Sequence, residues 1–317
     1  MSLHIINPTV RERVEAQLRL ALGPQMLAAL EAPGTIEVMR DPDGAVVVEN
    51  REGRHVVGAM SDLQAETAII TIAALHSRIA NALSPVVEAE LPIANARFTG
   101  VLAPMAATPT ISIRVPAASI YALDDYVRQG VMSARQARRF ARAIQTRQNI
   151  LVPGATGSGK TTLASTLISA IDPTERVVVL EELSELVRRT SRHTVYLRTT
   201  PGHDLTRLVR TTMRLKPDRI VIGEVRGGEA LALLKAWLTG HPGGVTTIHA
   251  SDATTALLRL DNLVQEAGGP SQPRLISETI DLIVTIAMTP AGRRVTELAT
   301  ITGYDSRTGH TTGPAED

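Results

Sequence analysis

The stretch NILVPGATGSGKTT, residues 149–162, decides the fold of the second half of the chain. The apolar run from Ile150 to Pro153 predicts a buried strand, and the segment from Gly154 to Thr161 fits the phosphate-loop pattern in full. A helical pattern begins directly afterwards. Because the motif lies between a strand and a helix, it is favoured over a chance glycine-rich turn.

The phosphate-loop motif predicts a site for a nucleoside triphosphate. Its glycines let successive backbone N–H groups point at phosphate oxygens, and the helix N-terminus adds a partial positive charge. Lys160 is expected to reach the β- and γ-phosphates, and Thr161 is expected to hold Mg²⁺. The predicted nucleotide-binding residues are Gly154, Ala155, Thr156, Gly157, Ser158, Gly159, Lys160, Thr161 and Thr162.

Outward from the loop, buried apolar runs alternate with helical patterns. The later runs are Val177 to Leu180, Ile220 to Gly223, Val245 to Ile248 and Leu282 to Met288. This alternation predicts an α/β domain, residues 148–303, in which helices cover a mainly parallel sheet. The tail, residues 304–317, is polar and rich in Gly and Thr, so we expect it to be flexible.

Two of the predicted strands end in carboxylates, at the sheet edge where such folds bind ligands. Glu181 and Glu182 follow one strand and Glu224 ends another. A carboxylate there can orient or deprotonate an attacking water. A bare Glu-Glu pair is more often a solvated acidic loop, and only its place after a buried strand favours catalysis. The role of Glu224, toward water, γ-phosphate or Mg²⁺, stays open.

Further candidate side chains are basic. His249 follows a predicted strand and can contact the γ-phosphate, although a single histidine is more often structural. Arg210 and Arg214, spaced i and i+4 on a predicted helix, are candidates for neutralising transition-state charge across a subunit boundary. Arg97 and Arg114, in predicted strands of the first half, are candidates for reaching the nucleotide. Exposed arginines are otherwise simply solvated.

The first half predicts a smaller α+β domain, residues 1–120, joined by a linker and lead-in helix, residues 121–147. Apolar residues recur at helical spacing from Thr9 to Leu30, with a break at Gly23-Pro24. A turn sequence at residues 41–44 predicts a hairpin. A second helical pattern spans Ser61 to Leu83, and two strand patterns follow it.

Composition limits the partners and the compartment. Net charge is +1 and aromatic residues make up 2%, so we expect no sequence-specific binding of nucleic acid. Cysteine is absent, which excludes disulfides and agrees with a reducing compartment. The N-terminus does not resemble a signal peptide and no apolar run is long enough to span a bilayer, so a cytoplasmic location is expected.

Four segments, in order, resemble the signature elements of the secretion and traffic ATPases. GATGSGKTT is similar to the phosphate loop, VLEELSEL to the acidic box, RLKPDRIVIGEVRG to the variant Walker B strand, and GHPGGVTTIHA to the histidine box. EVMRDPDGAVVVE and RFTGVLAPMAATPTISIRVP resemble the family's N-terminal domain. Chain length and motif wording bring the sequence closest to the TrbB-type conjugal-transfer ATPases of type IV secretion systems.

The resemblance implies a homohexameric ATP hydrolase that uses ATP and Mg²⁺. Its RecA-like C-terminal domain and its N-terminal domain would hold the nucleotide between them. The ring would lie at the cytoplasmic face of the inner membrane with other secretion components, where it powers conjugative pilus assembly, plasmid transfer or substrate passage.

The resemblance also implies residue roles. It places Lys160 and Thr161 on phosphate and Mg²⁺, Glu181 on the attacking water, Glu224 as the Walker B carboxylate and His249 as a sensor. Relatives often carry Asp at position 182, where this chain has Glu. Which of the two adjacent carboxylates orients water therefore stays open.

Three other functions compete with this interpretation. One is a type II secretion or type IV pilus assembly ATPase, but the lack of cysteine excludes the tetracysteine zinc module of some pilus relatives. Another is a nucleotide-gated scaffold with little turnover, which the acidic and histidine motifs disfavour. The last is a nucleic-acid translocase, for which near-neutral charge and scarce aromatics give poor support.

Overall fold

The structure is a computed structural model of the 317-residue chain. It describes residues 8–50, 52–76, 78–116, 120–182, 185–186, 191–200, 202–305 and 309–315. By their internal contacts the residues form two compact units, Met1–Ala117 and Ala118–Asp317. Each unit contains one sheet with helices, so the predicted mixture of α and β structure in both halves is confirmed.

The first unit contains a sheet whose strands run in the order β3-β2-β1-β6-β5-β4, and each neighbouring pair is antiparallel. Two helices, α1 and α2, pack on one face of this sheet. The described elements are α1 (Pro8–Glu31), β1 (Glu37–Arg40), β2 (Ala45–Asn50), β3 (Gly53–Ala59), α2 (Asp62–Leu75), β4 (Val86–Glu90), β5 (Arg97–Val101) and β6 (Thr110–Arg114).

Local sequence explains how these helices begin and bend. The predicted break in α1 is confirmed, because Gly23 takes a left-handed φ of 74° directly before Pro24. Ser61 caps α2 by accepting from the backbone N–H of Gln64, whose side chain accepts from Ser61 in return. The second helix ends at Leu75, earlier than the pattern suggested.

The second unit contains a sheet with the strand order β14-β13-β12-β7-β11-β10-β8-β9. Neighbours from β12 to β9 are parallel, whereas β12, β13 and β14 pair antiparallel. The described elements are α3 (Leu123–Arg128), α4 (Ala134–Gln145), β7 (Ile150–Pro153), α5 (Lys160–Ser169), β8 (Val177–Glu181), β9 (Thr194–Arg198), α6 (Leu205–Thr212), β10 (Arg219–Glu224), α7 (Glu229–Leu238), β11 (Val245–Ile248), α8 (Ala253–Gln265), α9 (Pro273–Thr279), β12 (Leu282–Thr289), β13 (Gly292–Asp305) and β14 (Gly309–Pro314).

Helices cover both faces of this second sheet. Ile150 and Val152 pack with α3, α4 and α5 on one face, while Leu151 packs with α6 to α9 on the other. Successive side chains of a strand point to opposite faces, so a strand covered on both sides buries every side chain and favours apolar residues throughout. This requirement explains the continuous apolar runs. Among the described helices, none combines the length and apolar character needed to cross a membrane.

The predicted flexible tail is wrong for residues 309–314. This segment forms β14, which pairs with β13 through partners that include Ala299 with Pro314 and Tyr304 with His310. The Ser277 hydroxyl lies 2.8 Å from Nδ1 of His310 and links the strand to α9. The prediction of flexibility rested on the polar composition of the tail. The strand is held by backbone pairing with β13 and not by an apolar face, so composition does not reveal it. Residues 306–308 and 316–317 of the predicted tail lie outside the described residues.

Candidate functional site

The predicted catalytic motifs meet at one edge of the second sheet. The phosphate loop follows β7, Glu181 ends β8, Glu224 ends β10, and His249 comes directly after β11. These strands are parallel and adjacent, so their carboxyl ends share one edge, which is where open α/β sheets bind ligands. Distant stretches of sequence are thereby gathered around one loop.

Glycine is required at several positions of the loop. A Cβ on Gly154 would lie 2.5 Å from Oγ of Ser158 and 2.6 Å from the carbonyl oxygen of Ile286. Gly157 and Gly159 adopt left-handed φ angles of 75° and 100°. The sequence therefore allows a tight turn that brings backbone, instead of side chains, up to a ligand.

Three observations indicate that the loop is suited to bind an anion. No side chain of the described residues caps the start of α5 at Gly159, so its first N–H groups remain suited to an anion. Oγ of Ser158 is buried and has no hydrogen-bond partner among the described residues. Lys160 is only 7% exposed, and its ammonium donates to the carbonyl oxygen of Ala155 at 3.0 Å. Thr161 and Thr162 follow, half-buried, in the first turn of the helix.

A chain of contacts links Lys160 to Glu224 through His249. Nζ of Lys160 lies 3.4 Å from Nδ1 of His249, and Nε2 of His249 lies 2.8 Å from Oε1 of Glu224. Burial lowers the pKa of His249, and Lys160 lowers it further, whereas Glu224 acts in the opposite direction. Oε1 of Glu224 is buried and accepts no hydrogen bond from the described residues, so His249 contacts this oxygen at short range without a hydrogen bond.

Arg226 holds the other oxygen of Glu224. Its Nε donates to Oε2 at 2.7 Å, Nη2 donates to the same oxygen, and Nη1 lies 3.7 Å from Glu182. The Glu229 carboxylate in turn accepts from the backbone N–H groups of Arg226 and Gly227 at 2.6 and 2.9 Å. Sequence reasoning left Arg226 and Glu229 out of the site. Both residues follow Glu224 closely in the segment GEVRGGE, and this proximity in sequence is the sign that could have indicated them.

The two adjacent glutamates have different surroundings. Glu181 is 4% exposed, and its Oε1 accepts from the backbone N–H groups of Glu185 at 2.9 Å and Leu186 at 2.7 Å. Burial raises the pKa of Glu181, while these two hydrogen bonds act against the rise. The side chain of Glu182 is half-exposed and faces Arg226. Glu181 therefore holds the backbone of Glu185 and Leu186, whereas Glu182 stays half-exposed beside Arg226.

The arginine candidates lie apart from this cluster. Arg210 and Arg214 are exposed on and just beyond α6, which packs on the sheet face opposite α5. They line a surface depression of about 550 Å³ together with Asp204 and Arg207. No described contact joins either of them to the phosphate loop.

The two arginines of the first unit form a matched pair. Arg97 on β5 lies directly opposite Arg114 on β6. Glu90 on β4 is the cross-strand partner of Arg97, and Glu37 on β1 is that of Arg114. Opposite charges thus flank the like-charged pair on one row of the sheet, which offsets its repulsion.

One further basic residue contacts the loop and was missed from the sequence. Nε of Arg293, on β13, donates to the carbonyl oxygen of Ser158 at 2.7 Å, and its Nη2 donates to that of Gly157 at 3.1 Å. No sequence pattern pointed to Arg293, because it reaches the loop only through the antiparallel return of the chain after β12.

The profile of the family described as Type II/IV secretion system protein matches residues 37–303, and the chain belongs to this family.

Two conjugal-transfer proteins are similar to this chain over most of its length. The chain is 47% identical over 292 residues to a "Probable conjugal transfer protein TrbB" of Sinorhizobium fredii, covering 90% of this chain and 89% of the relative. It is 44% identical over 297 residues to the "Conjugal transfer protein TrbB" of Rhizobium radiobacter, covering 92% and 91%. The resemblance noted in the sequence is thereby confirmed.

A solved structure agrees on the fold. The ATPase DotB of Legionella pneumophila superposes with a TM-score of 0.62 at 22% identity, covering 93% of this chain and 81% of that one.

Proposed function

We propose that this protein is an ATPase of a type IV secretion system that works in conjugation. The observation that carries the proposal is the contact chain from Lys160 through His249 to Glu224. It joins the residue expected on the γ-phosphate to the carboxylate that ends β10. The conjugal-transfer relatives support the biological setting.

In the proposed site the phosphate loop binds ATP. Backbone N–H groups of the loop and of the first turn of α5 take the phosphates, and Lys160 leaves Ala155 and His249 to contact the β- and γ-phosphates. The Thr161 hydroxyl would hold Mg²⁺, which would supply charge neutralisation when bound. His249 then loses its lysine partner, so it can report whether a γ-phosphate is present.

The acidic residues have different roles in the proposed site. Glu181 already accepts two backbone N–H groups, so we assign it the positioning of the acidic segment. Glu224 and Glu182, joined by Arg226, are the carboxylates available to orient the attacking water. This assignment differs from the resemblance, which places Glu181 on the water.

The remaining parts of the proposal concern the oligomer, its location and the residues that act between its subunits or domains. We propose a homohexamer at the cytoplasmic face of the inner membrane, associated peripherally with other secretion components. Residues 148–303 would be the RecA-like ATPase domain and residues 1–120 the N-terminal domain. Arg210 and Arg214 are exposed and make no described contact with their own loop, so we propose that they act on the nucleotide of a neighbouring subunit. Arg97 and Arg114 would contact the nucleotide from the N-terminal domain.

The test is the rate of ATP hydrolysis per subunit, measured across protein concentrations with oligomer mass recorded in parallel. The proposal predicts a rate per subunit that rises as rings form. A rate that does not depend on assembly would refute the use of arginines from a neighbouring subunit. Matched samples of Arg210→Ala and Arg214→Ala should form rings of wild-type mass with reduced turnover.

A further inference from the structure

Arg293 contacts the outer side of the phosphate loop. Its guanidinium donates to two successive carbonyl oxygens, Ser158 at 2.7 Å and Gly157 at 3.1 Å. It also packs closely on the backbone of Gly159, where a Cβ would lie 2.7 Å from Nε and 2.8 Å from Cδ of the arginine. The absence of a side chain at position 159 therefore makes room for the guanidinium as well as for the left-handed turn.

Because the peptide bond is planar, this contact also sets the direction of an N–H group on the other side of the loop. In a trans peptide, the carbonyl group and the next N–H group point in opposite directions. Because the carbonyl of Ser158 points at Arg293, the N–H of Gly159 points away from it. The arginine thereby fixes the direction of a donor that directly precedes Lys160.

The charge of the guanidinium acts in the same sense. A cation at a carbonyl oxygen polarises the peptide group and makes its N–H a stronger donor to an anion. A loop already held in its binding conformation also loses less conformational entropy when a ligand binds. Both effects raise affinity for phosphate before any step of hydrolysis.

We propose that Arg293 is a positioning residue that braces the phosphate loop from outside and so sets its affinity for nucleotide. The inference rests on the proposed function, since it assumes that the loop binds ATP. Arg293 acts through the backbone of residues 157–159 and does not itself touch the nucleotide. The fork shape of the guanidinium is essential, because a lysine ammonium is a single point charge and cannot reproduce a two-carbonyl contact in the same geometry.

The experiment measures dissociation constants for ATP and ADP by titration calorimetry, together with kcat and KM for hydrolysis. The variants are Arg293→Ala and Arg293→Lys. Arg294→Ala is the matched control, because Arg294 is the adjacent arginine of the same strand and donates to the carbonyl oxygen of Arg293 instead of to the loop. Circular dichroism melts check that each variant is folded.

The expected result is about a tenfold or larger weakening of both ATP and ADP binding in Arg293→Ala, as for loss of charge-assisted hydrogen bonds. KM should rise by a similar factor while kcat changes less than about threefold, since the brace acts on the ground state and transition state alike. Arg293→Lys should recover less than half of the lost affinity, and Arg294→Ala should bind within about twofold of wild type.

Two results would overturn the inference while wild-type protein binds ATP. One is unchanged nucleotide affinity in Arg293→Ala. The other is full recovery in Arg293→Lys, which would show that charge alone suffices. If Arg293→Ala does not fold, the nucleotide affinity of Arg293→Lys is the deciding measurement. An affinity at least threefold weaker than wild type supports the brace, and wild-type affinity refutes it. Failure of the wild type to bind ATP would instead refute the proposed function.

Discussion

Replacing Glu224 with glutamine separates the chemistry of the site from the stability of the fold. The substitution keeps the shape of the side chain and removes its charge. Oε2 of Glu224 accepts two N–H groups from Arg226, and Oε1 faces His249 at 2.8 Å. Glutamine keeps one oxygen acceptor but replaces the other with a neutral NH₂ group, so the negative charge between Arg226 and His249 is lost.

The stability cost of Glu224→Gln is small. The side chain of Arg226 is 45% exposed and that of Glu224 is 11% exposed, so solvent screens their ion pair only on the arginine side. Exposed pairs contribute about 0–1 kcal/mol, and the glutamine oxygen can still accept from Arg226, so we take about 1 kcal/mol for the loss. For a unit of this size that loss lowers Tm by roughly 2–4 °C at most.

The catalytic cost of the same substitution is much larger. A positioned carboxylate that orients or deprotonates water contributes about 100- to 10,000-fold to the rate. That factor corresponds to about 3–5 kcal/mol of barrier. We therefore expect kcat to fall by at least about a hundredfold, while ATP affinity stays within about threefold of wild type and Tm falls by a few degrees.

The assay for Glu224→Gln is steady-state phosphate release, with ATP affinity and thermal melting measured on the same preparation. Glu278→Gln serves as the control, because Glu278 is an exposed carboxylate of the same unit outside the cluster. Hydrolysis by Glu224→Gln within about threefold of wild type would refute the catalytic role of Glu224. A large loss of both binding and Tm would show that the residue is structural.

The remaining predictions concern packing and pH. Gly244→Ala should destabilise the second unit by about 3 kcal/mol, because its Cβ would lie 2.1 Å from the carbonyl oxygen of Ile220 and 2.3 Å from Nε1 of Trp237. Urea unfolding followed by fluorescence of Trp237, the sole tryptophan, measures this loss, and an unchanged midpoint would contradict it. The folded-state pKa of His249 is lowered, mainly by burial, so its stabilising contribution is present above the unfolded pKa of about 6.5 and is lost as pH falls through the folded pKa. Wild-type Tm should therefore fall more steeply than that of His249→Gln on acidification below about pH 6.5, and parallel pH profiles of Tm would argue against this.

Sequence reasoning succeeded where one physical requirement acts locally. The run Val177–Leu180 was predicted as a strand and lies within β8, because a strand covered on both faces buries every side chain and so favours apolar residues. The break at Gly23-Pro24 was equally readable, since each residue type restricts the backbone by itself. The phosphate loop combines both kinds of signal.

Sequence reasoning failed where the outcome depends on tertiary contact. The segment 309–314 is polar and forms a strand only because β13 offers a backbone edge to pair with. Arg293 reaches the loop across a long separation in sequence, and nothing in its neighbours marks it. The adjacent Glu181 and Glu182 look equivalent in sequence. In the fold, Glu181 is a buried acceptor for the backbone N–H groups of Glu185 and Leu186, whereas Glu182 is half-exposed.

The most direct test of the account compares ATP binding and phosphate release in one sample of wild-type protein and one of Lys160→Ala. We predict that the wild type releases many phosphates per subunit. Lys160→Ala should lose affinity by roughly 10- to 150-fold, as for loss of a hydrogen bond from a charged donor, and should release almost none. Tight binding of ATP by the wild type, without phosphate release beyond one per subunit, would contradict an ATPase and indicate a nucleotide-gated scaffold.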